Sequence, residues 1–300
     1  MSERIDPEAP LAGEIRRIAA KEIEAALGCL ADVDGNTDKA LHETRKRLKS
    51  LRALLRLMRA GDDAFARAEN ARYRDAARLL AGPREAGALI ETLDRLEQEF
   101  PAKTEGGALD PVRAALDRRR ENALGQDLGP AVAAAVDACR AGLAQIETLT
   151  FDSARDAAIL GAGVRDAKRQ ARKALGRAAK RGTAADFHGL RKATKIYARY
   201  LSLLGGHWPT PVKARRKSFD ALNERLGELH DIFVLRGLLR TEPAMLDDPG
   251  DAELLDRLCT RSERRLSKAC LGKAAKLLRP DPRTSAKALA RAVRRSRQAA

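Results

Sequence analysis

HETRKRLKSLRALLRLMR, residues 42–59, is the stretch whose reading decides the fold. At about 100° per residue, His42, Arg45, Lys46, Lys49, Arg52 and Arg56 gather on one side of a helix. Leu41, Leu48, Leu51, Leu54, Leu55 and Met58 gather on the other, so the helix has an apolar face to bury and a cationic face turned from the core. FHGLRKATKIYARYLSLL, residues 187–204, repeats the arrangement. His188, Arg191, Lys192, Lys195 and Arg199 share one face, and Leu190, Tyr197, Tyr200, Leu201 and Leu204 form most of the other. A cationic stripe is ordinarily a solvated surface. Here few acidic residues stand one turn away to neutralise it, so each helix carries self-repulsion, and the stripe occurs twice.

The recurrence has a fixed offset. A shift of 146 residues carries His42 onto His188, Arg45 onto Arg191, Lys46 onto Lys192 and Lys49 onto Lys195. Without a gap it also places Leu55 on Leu201, Leu80 on Leu226, Glu85 on Asp231, Leu89 on Leu235 and Leu93 on Leu239. Leucine matches mean little in a leucine-rich chain. The matched histidine, arginine and lysines mean more, and they predict an internal duplication. Two like units packed about an approximate two-fold axis would bring both stripes to one shared site.

Working outward, helix patterns alternate with short breakers. The first half reads as helices over 12–30, from Asp38 to about 60, up to 81, and 84–100. A loop PAKTEGGALDP follows, then shorter helices near 111–124 and 130–148. The second half reads as helices over 154–181, Phe187 to Leu204 with Asp186 as its cap, 212–227, 228–240, 251–277 and 284–298. GGHWPTP and RPDP punctuate it, and the last basic segment is left either docked or loose. Aromatic residues are 3% and the strong helix formers dominate, so the expected class is all-α, as two helical bundles over 1–150 and 151–300.

The net charge of +16 predicts attraction to polyanions. Between Gly163 and Lys217 there are 16 Lys or Arg against two Asp. Arg165, Lys168, Arg169, Arg172, Lys173 and Arg177 give one helix a basic face, and Lys213, Arg215, Arg216 and Lys217 open another. Arg74 and Arg78, with Arg67, add cations at turn spacing in the first half. Arginine suits phosphate because its planar fork donates two hydrogen bonds to adjacent oxygens. The cysteines, Cys29, Cys139, Cys259 and Cys270, show no Cys-x-x-Cys spacing and read as reduced core residues. No apolar run reaches membrane-spanning length and the start lacks a secretory pattern, so the expected location is the cytoplasm.

These motifs resemble the CHAD family of helical domains. The resemblance rests on HETRKRLKSLRALLRL and FHGLRKATKIYARYLSLL, and on LLAGPREAGALIETL and LNERLGELHDIFVLRGLL, the segments that follow each histidine at matching distance. It implies two bundles related by a pseudo-two-fold axis with a basic cavity between them. It also implies non-catalytic binding of inorganic polyphosphate and recruitment to polyphosphate granules. The implied contacts are His42, Arg45, Lys46, Lys49, Arg52 and Arg56 with His188, Arg191, Lys192, Lys195 and Arg199. Arg74, Arg78, Arg215 and Arg216 follow from the neighbouring helices. The chain departs from the family pattern at Arg84-Glu85 in place of Arg-Asp, at Ala198 where many members carry Arg, and in lacking a Tyr over 163–173.

Two rival readings remain. His230-Asp231 with His188 could mimic a metal-dependent phosphohydrolase. Yet the repeat partner of His230-Asp231 is Arg84-Glu85, which cannot form a matching metal pair, and the surrounding cations oppose a divalent ion. Binding of an RNA or DNA backbone fits the charge, but Tyr197, Tyr200 and Trp208 read as core or loop anchors rather than stacking platforms. Polyphosphate needs phosphate contacts alone.

Overall fold

The computed structural model describes residues 3–299 apart from 7, 34, 36, 81–83, 125–127 and 206–211, and leaves out the side chains of 84–86, 123–124, 212–214 and 296–299. Among the described residues the chain is all-α. Its first half contains α1 (Leu11–Ala31), α2 (Thr37–Leu57), α3 (Asp63–Leu79), α4 (Arg84–Glu99), a one-turn α5 (Pro101–Thr104), α6 (Asp110–Leu124) and α7 (Gly129–Glu147). Its second half contains α8 (Asp156–Arg181), α9 (Ala184–Leu203), α10 (Val212–Thr241), α11 (Pro249–Leu278) and α12 (Pro282–Ala299).

Helix starts follow side-chain chemistry. The Asp62 carboxylate accepts from the Phe65 N–H at 2.9 Å and opens α3. Asp248 accepts from Gly250 at 2.7 Å ahead of Pro249 and opens α11. The start expected at Asp186 is corrected. Thr183 is the cap of α9, and its hydroxyl accepts from the Asp186 N–H at 3.2 Å while donating to the Asp186 carboxylate at 2.7 Å. The Thr183 hydroxyl thus serves both the Asp186 N–H and its carboxylate, so Asp186 sits at the third position rather than at the cap. The loop expected over 101–111 holds α5, because Pro101 is suited to a first helical position.

A larger correction concerns α10. The break expected between 227 and 228 is absent, and one helix of 30 residues runs through Gly227. Glycine in a helix interior costs about 1 kcal/mol relative to alanine, and the helix continues because Leu226 and Leu229 on either side are buried. The basic terminal segment is docked: Leu289 and Val293 of α12 are buried and α12 lies along α8.

The pairing scheme recurs between the halves. In the first, α1 packs on α2, α2 on α3, α4 on α6 and α1 on α7. In the second, α8 packs on α9, α9 on α10, α10 on α11 and α8 on α12. The buried apolar side chains form one continuous core that includes Ile15, Leu48 and Leu54 from the first half and Leu190, Leu201 and Leu229 from the second. Tyr73, Tyr197 and Tyr200 are buried in it, as are Cys139, Cys259 and Cys270.

The halves meet where α2 touches α8 and α9, and where α4 touches α10 and α11. A Cβ on Gly163 of α8 would collide with the Leu57 carbonyl of α2, so this glycine permits a close approach between the halves. The buried Asp156 carboxylate accepts the Leu11 N–H at 2.8 Å, tying the start of α1 to the start of α8. Glu22 of α1, itself buried, binds Arg199 of α9 at 2.7 Å and Arg47 of α2 at 3.3 Å.

Candidate polyanion site

α2 and α9 lay their stripes toward a common seam because their leucine faces are committed to the core. Lys49 of α2 is harder to charge than an ordinary lysine. Burial is the main cause, followed by repulsion from Arg45, from Arg191 across the seam, and from Arg52. His188 of α9 is shifted the same way by burial, then by Lys192, Arg191 and Lys49. Cations from both halves therefore share one field.

α10 closes the seam on a third side. The His230 ring lies against His188 with centroids 4.7 Å apart. Burial pushes the His230 pKa down to about 4, helped by His188, Arg191 and Lys195. Next to it, Asp231 accepts from Arg95 of α4 at 3.2 Å. Burial still holds the Asp231 carboxyl above its usual range, against the pull of Arg95, Arg191 and Lys195. Arg191 lies over Gly227: a Cβ there would stand 3.4 Å from an Arg191 guanidinium nitrogen, an ordinary contact. The Arg45 Nε and the His188 Nδ1 are buried without a hydrogen-bond partner among the described residues.

The expected contacts divide by place. Arg45, Lys49, His188, Arg191, Lys192 and Lys195 meet at the seam. Arg52 joins it to a second cluster: burial and then Arg56, Arg74 and Arg78 make it harder to charge, while its Nε donates to Asn70 at 3.1 Å. Arg74 and Arg78 are tempered by Asp75, at 2.9 and 3.4 Å. His42 and Lys46 stand beside Glu43, at 3.8 and 3.0 Å, so the first turn of the stripe carries a neighbouring acid. Arg199 is the clearest departure. It is paired with Glu22, and burial outweighs that pairing to lower its pKa. Its position in the stripe gives it a place in the inter-half contact instead. Arg216 lies 3.7 Å from Asp220, and Arg215 is close enough to Lys168 of α8 to depress its pKa. The Glu85 side chain, the Lys213 side chain and Trp208 lie outside the described residues.

Arg95 and Gly227 are the site residues that sequence reasoning missed. Arg95 falls opposite Thr241 in the repeat, and a lone glycine inside a helix reads as a break. His230 and Asp231 were visible as a metal-like pair, but among the described residues no three His, Cys, Asp or Glu side chains are placed to share a metal ion. The carboxylates acting at the centre are Asp231, held by Arg95, and the weaker Glu91. The arrangement concentrates positive charge between two helices, where it attracts anions.

Comparison with known proteins concerns the fold and the family. No curated protein matches the chain. Among solved structures it is similar to the crystal structure of the CHAD domain from the plant Ricinus communis, with a TM-score of 0.68 and 21% identity over 93% of this chain and 95% of that one. A likeness at that identity concerns the fold. The family model for the CHAD domain matches residues 17–240, which include both stripes, the His188–His230 pair and the Arg95–Asp231 contact. On that match the chain belongs to the CHAD family.

Proposed function

We propose that the seam between α2, α9 and α10 binds inorganic polyphosphate without transforming it, and that the protein serves as a cytoplasmic scaffold or targeting module on polyphosphate granules. One observation carries the reading: Lys49 of α2 lies close enough to Arg191 and His188 of α9 for their charges to act on one another across the seam. Such an array of converging charge is relieved by a flexible polyanion. The polymer needs phosphate contacts alone, which position a chain and read no bases. The described tyrosines are all buried, so they offer no stacking surface for a single-stranded nucleic acid.

The test is competition at near-physiological salt. Labelled long-chain polyphosphate is bound to the wild type and to a Lys49→Gln, Arg191→Gln variant, then challenged with excess RNA and duplex DNA. Polyphosphate is expected to persist on the wild type, and the variant to bind at least tenfold more weakly. Ready displacement by RNA, or a variant that binds as the wild type does, would overturn the proposal.

A further inference from the structure

Outside the seam, the largest uncompensated charge lies on α8 and α12. These helices run antiparallel. Gly161 faces Ala286 and Ala290, the Lys168 ammonium donates to the Ser285 hydroxyl at 2.7 Å, and Arg172 lies 4.0 Å from Asp281. The α12 segment, PRTSAKALARAVRRSRQA, contains no Asp or Glu. Ala286, Leu289 and Val293 turn inward, while Arg283, Lys287, Arg291 and Arg294 are exposed. Those four cations fall within about 80° of helical arc and span about 16 Å. Across from them α8 exposes Arg165, Arg172 and Lys173.

The nearby acids are already engaged. Asp166 is 3.1 Å from Arg169. Asp281 accepts the Arg283 and Thr284 N–H groups at the start of α12. Arg165, Lys173, Lys287 and Arg291 have no ion-pair partner among the described residues. Lys168 is buried beneath this face, and burial first, then Arg215 and Arg172, push its pKa down to about 8.

Geometry narrows the partner. A basic amphipathic helix reaches a lipid surface through its apolar face, and that face of α12 is buried. Neither α8 nor α12 contains an aromatic residue on which bases could stack. The face is displaced along α10 from the centre of the seam. Arg215, which is close enough to act on Lys168, precedes Gly227 by twelve residues, about 18 Å along the helix.

We infer that the α8–α12 face is a second polyphosphate-binding surface, so that one chain holds two segments of polymer at once. The inference rests on the reading of the seam given above. A long polymer bound at the seam of one molecule can then be captured by the outer face of another, and the protein bridges strands. Linked sites also favour each other through effective concentration.

The test uses the full chain and short linear polyphosphate, followed by calorimetry, with light scattering on long-chain polymer. Three proteins are compared: wild type, an outer-face variant (R165Q, K287Q, R291Q) and the seam variant (K49Q, R191Q). The expected result is two short chains bound per wild-type molecule and one per molecule of either variant. Scattering on long polymer should fall at least fivefold in the outer-face variant while its melting temperature holds. If the wild type binds one chain, lost only in the seam variant, the second surface is refuted and the seam reading stands. If no protein binds polyphosphate, both readings fall. If the outer face takes up duplex RNA and not polyphosphate, the assignment of its partner is wrong.

Discussion

Arg191 makes Lys49 harder to charge although the two belong to different halves of the chain. Burial first, and then the neighbouring cations, also lower the pKa of both histidines. His230 is held down to about 4, and His188 is shifted in the same direction. The unfolded chain therefore takes up protons near pH 6.5 that the folded chain refuses until lower pH. This contribution to stability is present above pH 6.5 and is lost as the pH falls from 6.5 through about 4. Both rings are only half-buried, so solvent screening reduces the effect to about 1 kcal/mol between pH 7 and pH 5. Urea denaturation at the two pH values should show that loss in the wild type and a smaller one in His230→Gln. An equal loss in both would mean that His230 is not responsible. A bound polyanion acts oppositely, favouring the charged imidazoles, so polyphosphate binding near pH 5 should draw protons from the buffer. Calorimetry in two buffers of different ionisation enthalpy would detect the uptake, and identical heats would contradict it. Among residues, the stripes were legible because helical periodicity sorts charge from leucine. Arg95 and Gly227 were not, because their roles exist only across helix pairs.

Elements were readable where caps and breakers act locally and were misread where packing overrules them. Gly227 suggested an end, yet α10 continues, because its flanking leucines are buried and Arg191 lies over the glycine. Helix α8 holds the opposite pair of cases. Gly163 stands against the Leu57 carbonyl with no room for a Cβ, whereas Gly176 has nothing within 4 Å of where one would sit. Gly163→Ala should separate α2 from α8 and cost about 2 kcal/mol as an overpacked contact. Gly176→Ala should stabilise by about 0.5–1 kcal/mol through helix propensity alone. Thermal melts of the two variants should move in opposite directions. A neutral Gly163→Ala would show that the halves do not rely on this approach. The short α5 and the Thr183 cap escaped although their signals are local: Pro101 suits a first helical position, and Thr183 stands three residues before Asp186.

At the scale of the molecule, the all-α class was the most legible feature, since strong helix formers dominate and the charged stripe recurs at helical spacing in each half of the sequence. Which stripe residues serve the ligand and which hold the halves together was not legible, because that depends on contacts between distant helices. Arg199 shows the difference, because burial with Glu22 commits its charge to the interface. Removing the buried carboxylate would take away the charge that Arg199 and Arg47 share, and Glu22→Gln should destabilise the fold by about 3 kcal/mol, measured by chemical denaturation. A cost below about 1 kcal/mol would place that pair among surface contacts. Binding should report the other class of residue. Each phosphate neutralised on a single-stranded polyanion releases condensed counterion, worth about −0.7 in the slope of log K against log salt. Lys49 and Arg191 meet the polymer directly in this reading, so replacing both with glutamine should make that slope shallower by about 1.4. Glu22→Gln, studied where it remains folded, should leave the slope unchanged because Arg199 faces the interface. If the two variants alter the slope equally, Arg199 belongs with the ligand after all, and the division between holding the halves and holding the polymer fails.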